Sequence, residues 1–205
     1  MSMEQSVTHA WGAWSSGRRM ALVMALLGTV WGASAPVVAG AEAPGAPMGP
    51  RDVPGPLRVP DGNVLLFRAF ANGTQVYDCK GSDAAPGPPT WVFRQPRAVL
   101  VGDDGEPLGI HGLGPFWAGY DGSRVIGLAP VTAPGREPTQ DVPLLLLRGA
   151  SATDVDGRFA MVTYIQRLDT RGGAAPPGPC DPATQPSLAV PYVAVYYFYG
   201  PQAAL

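Results

Sequence analysis

Beyond Val59 the chain alternates apolar and polar residues with a period of two, and turn-forming residues break the alternation at short intervals. Val64–Phe70 and Thr74–Lys80 read as strands joined by Ala71-Asn72-Gly73, a hairpin signal because Asn and Gly accept left-handed backbone. The same Asn72-Gly73-Thr74 spells a glycosylation sequon, a reading that ranks behind the turn. Trp91–Arg94 follows as a short strand. Ala98–Val101 and Pro107–His111 flank an acidic hairpin tip, Gly102–Glu106. Phe116–Gly119 and Arg124–Leu128 flank Tyr120-Asp121-Gly122-Ser123. Val142–Arg148 holds four consecutive leucines and is expected to be covered on both faces. Phe159–Leu168 and Val190–Tyr199 are the longest runs. In the latter, Tyr192, Ala194, Tyr196 and Phe198 share one face, and Val193, Val195, Tyr197 and Tyr199 the other. Apolar on both sides, that strand belongs in the interior of a sheet.

No helical periodicity free of Gly or Pro persists in this region. The pattern therefore predicts an all-β fold of about ten short antiparallel strands: a β-sandwich, with a β-barrel as the alternative. Gly 27 and Pro 24 are high counts, but most alternate with apolar runs and read as turns.

The first 41 residues have a different character. Arg18-Arg19 precedes the apolar run Met20–Val30, and Ala39-Gly40-Ala41 fits a cleavage site before Glu42. An apolar run this short falls well below the roughly 20 residues that span a bilayer. Residues 1–41 thus read as a signal peptide, with no stable membrane span after cleavage and a secreted or periplasmic destination. Residues 42–58 read as an extended Pro/Gly-rich linker without a fixed partner, marked by Pro44, Pro47, Pro50, Pro54 and Pro56. Residues 59–201 form the single β domain.

Charge and cysteine usage narrow the picture. Charged residues make up 15%, below the usual quarter, so the dense basic face of a nucleic-acid binder is missing and none is expected as a partner. Cys79 and Cys180, an even pair behind a signal peptide, are expected to form one disulfide that pins the Pro-rich segment Gly172–Pro186.

Chemistry-bearing motifs are sparse. After residue 41 the one histidine is His111, too few for a histidine metal site, and no metal is expected. Asp154-Val155-Asp156-Gly157 lacks the later ligands of a calcium loop and reads as a turn. No G-x-S-x-G surrounds Ser82, Ser123 or Ser151. Gly109, Gly112 and Gly114 are in the wrong order for a dinucleotide turn, so no cofactor is expected. The stretch Gly109–Ser123 nonetheless gathers His111, Phe116, Trp117, Tyr120 and Asp121. Aromatics with a few polar groups at a loop-rich edge suit a pocket for a small molecule or glycan. The candidate ligand-binding residues are His111, Trp117, Tyr120 and Asp121, with Gln166 or Arg167 as polar partners. The expected site is shallow and at one end of the domain.

The ordered residues also carry a resemblance. They are Gly73–Cys79, Trp91 and Phe93, Gly109-Ile110-His111 with Gly114-Pro115 and Trp117, and Asp121-Gly122-Ser123. Then come Pro143–Leu147, Val162–Arg167 with Thr170, Gly172 and Gly173, Cys180, and Tyr192–Tyr199. Over about residues 59–200 the chain resembles the domain-of-unknown-function family 3455 of secreted bacterial and fungal proteins. It departs from that pattern at Phe116 and Ala118, where more polar residues are expected, and at Asp169, where Asn is expected. The resemblance implies no established activity. Some fungal relatives carry the label malate dehydrogenase, but the β–α–β unit and glycine fingerprint of that chemistry are absent here. The leading expectation is a secreted, disulfide-stabilised, non-catalytic binding or cell-envelope module. The alternatives are a secreted enzyme using His111 as base with Asp121 as its orienter, and a structural surface protein.

Overall fold

A computed structural model describes residues 48–81 and 87–202. The expected signal peptide and the linker up to residue 47 lie outside the described residues. Eight antiparallel strands follow in chain order: β1 (Asn63–Lys80), β2 (Thr90–Val101), β3 (Pro107–Gly112), β4 (Phe116–Gly119), β5 (Arg124–Ala133), β6 (Leu144–Ser151), β7 (Tyr164–Gly172) and β8 (Ser187–Pro201). Each pairs with the next, and β8 pairs back onto β1 from Asn63↔Pro201 to Asp78↔Ser187.

The antiparallel all-β class is as expected. The sandwich expected first is replaced by its alternative, one sheet closed on itself as a barrel. The reason is the long pairing of the first and last strands. It joins the two edges that an open eight-stranded meander would leave exposed.

Three strands differ in extent from those the pattern predicts. β2 joins the expected Trp91–Arg94 and Ala98–Val101 into one strand, Thr90–Val101. β1 runs straight through Asn72-Gly73 with no hairpin there. A Cβ at Gly73 would sit 2.5 Å from the Ala98 Cα and collide with the Arg97 carbonyl, so this glycine permits close strand approach instead of a turn. The run from Phe159 becomes a strand only at Tyr164. Phe159 itself lies in the preceding turn, fully buried. Its amide donates to Ser123 Oγ (3.0 Å), and the Arg158 amide donates to Asp121 Oδ2 (2.8 Å), which takes this segment out of the ladder.

Alternation sorts side chains cleanly. Ala69, Ala71, Leu100, Trp117, Val125, Ile165, Tyr196 and Phe198 point into the barrel and form the main core. The opposite face of β6–β8 carries Leu146, Leu168 and Tyr197, which pack around Leu57 as a second cluster. The region 53–59 is therefore not an unpartnered linker. Its single 3-10 turn, Gly55–Leu57, lies against the outer face of the barrel with Leu57 fully buried. Gln166 Nε2 donates to the Leu57 carbonyl at 2.6 Å and fastens the segment. This strap explains why β8 and the leucine run are apolar on both sides.

The disulfide Cys79–Cys180 is formed across a sequence separation of 101 residues. It fastens the β7–β8 connection to the end of β1, where the Cys79 amide also donates to the Pro186 carbonyl at 3.0 Å. Strand register departs from regularity between Leu128 and Val131 and between Leu168 and Arg171. Asp169, at the second irregularity, adopts φ 50°, a left-handed conformation that favours Asn and Asp over most residues. The departure from the expected Asn is thus conformationally conservative.

Candidate ligand-binding site

Antiparallel connectivity divides the connections between two ends of the barrel. The β2–β3, β4–β5 and β6–β7 turns lie at one end. The β1–β2, β3–β4, β5–β6 and β7–β8 connections lie at the other, together with the disulfide. At the first end the interior is filled by aromatic rings. Phe67 stacks on Phe198 (centroids 4.6 Å apart), and Phe159 meets both edge-on at 5.4 and 5.1 Å. Toward the second end the filling stops, and a cavity of about 570 Å³ remains, lined by residues from all eight strands.

His111 and Trp117 form part of its wall. They are directly paired across β3 and β4, and their rings lie 4.4 Å apart and within 10° of parallel. Tyr196 from β8 meets both edge-on, at 5.2 and 5.3 Å. Room for the indole comes from Gly127 on β5, where a Cβ would stand 3.0 Å from Trp117 Cζ3 and 2.8 Å from Leu147 Cδ2. Leu145, Pro143 and Pro96 continue the wall, and the partly exposed Phe93 and Leu113 stand at its rim.

His111 and Trp117 are 4% and 1% exposed, so the shallow surface site expected from the sequence is not what the barrel presents. The strands carry both side chains inward, into the interior. Burial drives the His111 pKa down to about 3, with a counteracting contribution from the Phe116 carbonyl and a smaller depression from Arg167. The imidazole is therefore neutral at physiological pH. Nδ1 lies 2.8 Å from the Phe116 carbonyl. A carbonyl can only accept, so Nδ1 carries the proton and Nε2 is left as an acceptor.

Arg167 also points into the cavity from β7. Its Nε and Nη2 both donate to the Pro143 carbonyl, at 3.1 and 2.7 Å. Gln166, one residue away, projects to the opposite face by strand alternation and serves the strap, where its Oε1 also accepts from the Tyr199 hydroxyl at 3.2 Å.

Tyr120 and Asp121 belong to the β4–β5 turn at the filled end of the barrel, away from the cavity. Tyr120 is exposed. Asp121 accepts from the Ser123 amide (3.0 Å) and the Ser123 hydroxyl (2.6 Å) as well as from the Arg158 amide. These bonds, the Arg158 amide foremost, hold its carboxyl below the usual carboxylate range. Asp121 staples a turn to the segment bearing Phe159 and does not orient His111. Phe116, one of the departures from the expected pattern, lies under the Arg124 guanidinium at 4.0 Å.

The structure adds residues that sequence reasoning left out. Gln75 on β1 and Tyr196 on β8 line the cavity. Among the described residues Gln75 Nε2, Trp117 Nε1 and the Tyr196 hydroxyl are buried without a close hydrogen-bond partner, and the buried Tyr192 hydroxyl adjoins Gln75 and Tyr196. For Gln75 a signal existed: it shares a strand face with Ala69 and Ala71, and a polar residue on an inward face is unusual. Tyr77, nearby, is satisfied by donating to the Gly173 carbonyl at 2.6 Å. Among the described residues no group of three or more His, Cys, Asp or Glu side chains is placed to hold a metal ion.

No curated protein and no solved structure matches the chain at a significant level. One family model does match, over residues 60–200, which is most of the sequence and every strand except the last residue of β8. The chain belongs to that family, described as "Protein of unknown function (DUF3455)".

Proposed function

We propose that this protein is a secreted, disulfide-stapled barrel that takes up a small apolar molecule in its interior. The observation that carries the reading is the cavity of about 570 Å³, a volume within the usual range for small-molecule sites. Its walls are mainly apolar, and a few polar groups converge on it without partners, as ligand-binding pockets do and packed cores do not. Export is supported by the hydrophobic segment and cleavage-site pattern in residues 1–41 and by the disulfide, which persists in oxidising compartments. Sequencing the N-terminus of exported protein should return a start near Glu42.

The paired acid–base reading of His111 and Asp121 finds no support in this arrangement. Their side chains serve different ends of the barrel, and His111 is oriented by a backbone carbonyl. Uptake is tested with N-phenyl-1-naphthylamine, an uncharged dye whose fluorescence rises in apolar surroundings. Saturable one-to-one binding is expected, and Leu145→Trp, which fills the cavity, should weaken it at least tenfold. Non-saturable binding, or binding unchanged in the filled variant, refutes the reading.

A further inference from the structure

We infer that the molecule taken up carries a carboxylate, held by Arg167 together with the Trp117, Tyr196 and Gln75 side chains at the inner wall of the cavity. This deepens the binding reading and rests on it.

The argument begins with charge. Arg167 is 7% exposed and lines a mainly apolar space. The ion pairs among the described residues are Arg68–Asp103, Lys80–Asp78 and Arg94–Asp78, and none involves it. Both of its assigned bonds go to one neutral carbonyl, that of Pro143. The Nη1 end of the guanidinium fork is left for another acceptor. A buried cation without a counter-ion is costly, and a ligand anion removes that cost.

The sign of the unpartnered groups gives the second part. Trp117 Nε1 can only donate, and so can the amide nitrogen of Gln75, which faces the buried Tyr192 hydroxyl that also adjoins Tyr196. The Tyr196 hydroxyl donates readily as well. Trp117, Gln75 and Tyr196 are 1%, 2% and 0% exposed. Donors on the same cavity lining as a cation without a counter-ion, the Trp117 Nε1 and the Tyr196 hydroxyl foremost, call for an acceptor-rich anion. A carboxylate offers two oxygens and about four acceptor positions, and its planar geometry suits a guanidinium fork. The remaining wall, with Leu145, Pro96 and the His111–Trp117 stack, suits an aliphatic or aromatic remainder.

The test displaces N-phenyl-1-naphthylamine from the intact, disulfide-bonded mature protein at neutral pH. The competitors are 4-phenylbutyrate, 4-phenyl-1-butanol and 4-phenylbutylamine, which share a skeleton and differ in charge. The acid is expected to compete at least tenfold better than the alcohol, and the amine worst. In Arg167→Gln the acid should lose its advantage to within about twofold, while dye affinity stays near wild type and reports that the cavity is intact. If Arg167→Gln does not fold, Tyr196→Phe decides, because it keeps the ring and removes one donor. There the acid should weaken at least threefold and the alcohol less than the acid. Equal displacement by acid and alcohol in the wild type overturns the inference and leaves uptake of apolar molecules standing. Failure of the dye and all three competitors to bind overturns both.

Discussion

Replacing His111 by Ala should cost stability at neutral pH, and the cost should shrink in mild acid. Three features set the neutral-pH magnitude. The Nδ1 hydrogen bond to the Phe116 carbonyl is part-buried, and leaving its acceptor unpaired costs up to about 3 kcal/mol. The ring stacked on Trp117 and edge-on to Tyr196 adds about 0.5–1.5 kcal/mol of aromatic contact. The side chain borders an existing cavity, so little new void is added. Together these give about 2–4 kcal/mol at pH 7. The pH dependence follows from the pKa lying near 3 in the folded protein, against about 6.5 in the unfolded chain. Between those values the unfolded state binds a proton that the folded state does not. The histidine's contribution is thus complete above about pH 6.5 and falls as pH drops toward 3, by about 1.4 kcal/mol per unit. From pH 7 to pH 5 the wild type should lose about 2 kcal/mol more than His111→Ala does. Guanidinium melts of both proteins at the two pH values, with the disulfide intact, measure this double difference, in which the carboxylates shared by both proteins cancel. A neutral-pH cost below about 0.5 kcal/mol, the size of a surface effect, or a double difference near zero would refute the burial argument.

Asp121→Ala should lower stability by about 1–2 kcal/mol by releasing the Ser123 and Arg158 amides, while dye binding at the other end of the barrel stays unchanged; a loss of binding would show that the two ends are coupled. Leu57→Ala should cost about 2–4 kcal/mol in denaturant melts, because the side chain is fully buried between the strap and β6–β8, and a negligible cost would mean that the strap is not a fixed part of the fold. Reducing the protein, or replacing Cys79 and Cys180 by Ser, should lower stability by up to roughly 4–5 kcal/mol on the chain-entropy model, read as a drop in Tm; two alkylatable thiols in the native, unreduced protein would contradict the bond itself.

Much of this fold follows from local pattern. The period of two, the Asp-Gly turns after β2 and β4, and the two-faced apolar character of Val190–Tyr199 depend on neighbours in the chain, so they are legible in the sequence. The even cysteine pair announced its bond for the same reason: two candidates leave one pairing. The order of residues was enough to place the chain in its family. Closure of the sheet was a tertiary outcome, because it depends on β1 meeting β8 across more than a hundred residues. So was the fate of Asn72-Gly73, whose turn propensity was overridden by two long partner strands and the close approach of β2. The candidate site divides along the same line. His111, Trp117 and Arg167 were visible as residue types, but strand alternation sent Gln166 to the other face, and the up-and-down connectivity carried Tyr120 and Asp121 to the opposite end. A cavity is an absence of atoms, and no residue type encodes one. It exists here because the aromatic filling around Phe159 and Phe198 ends where the walls of the barrel continue.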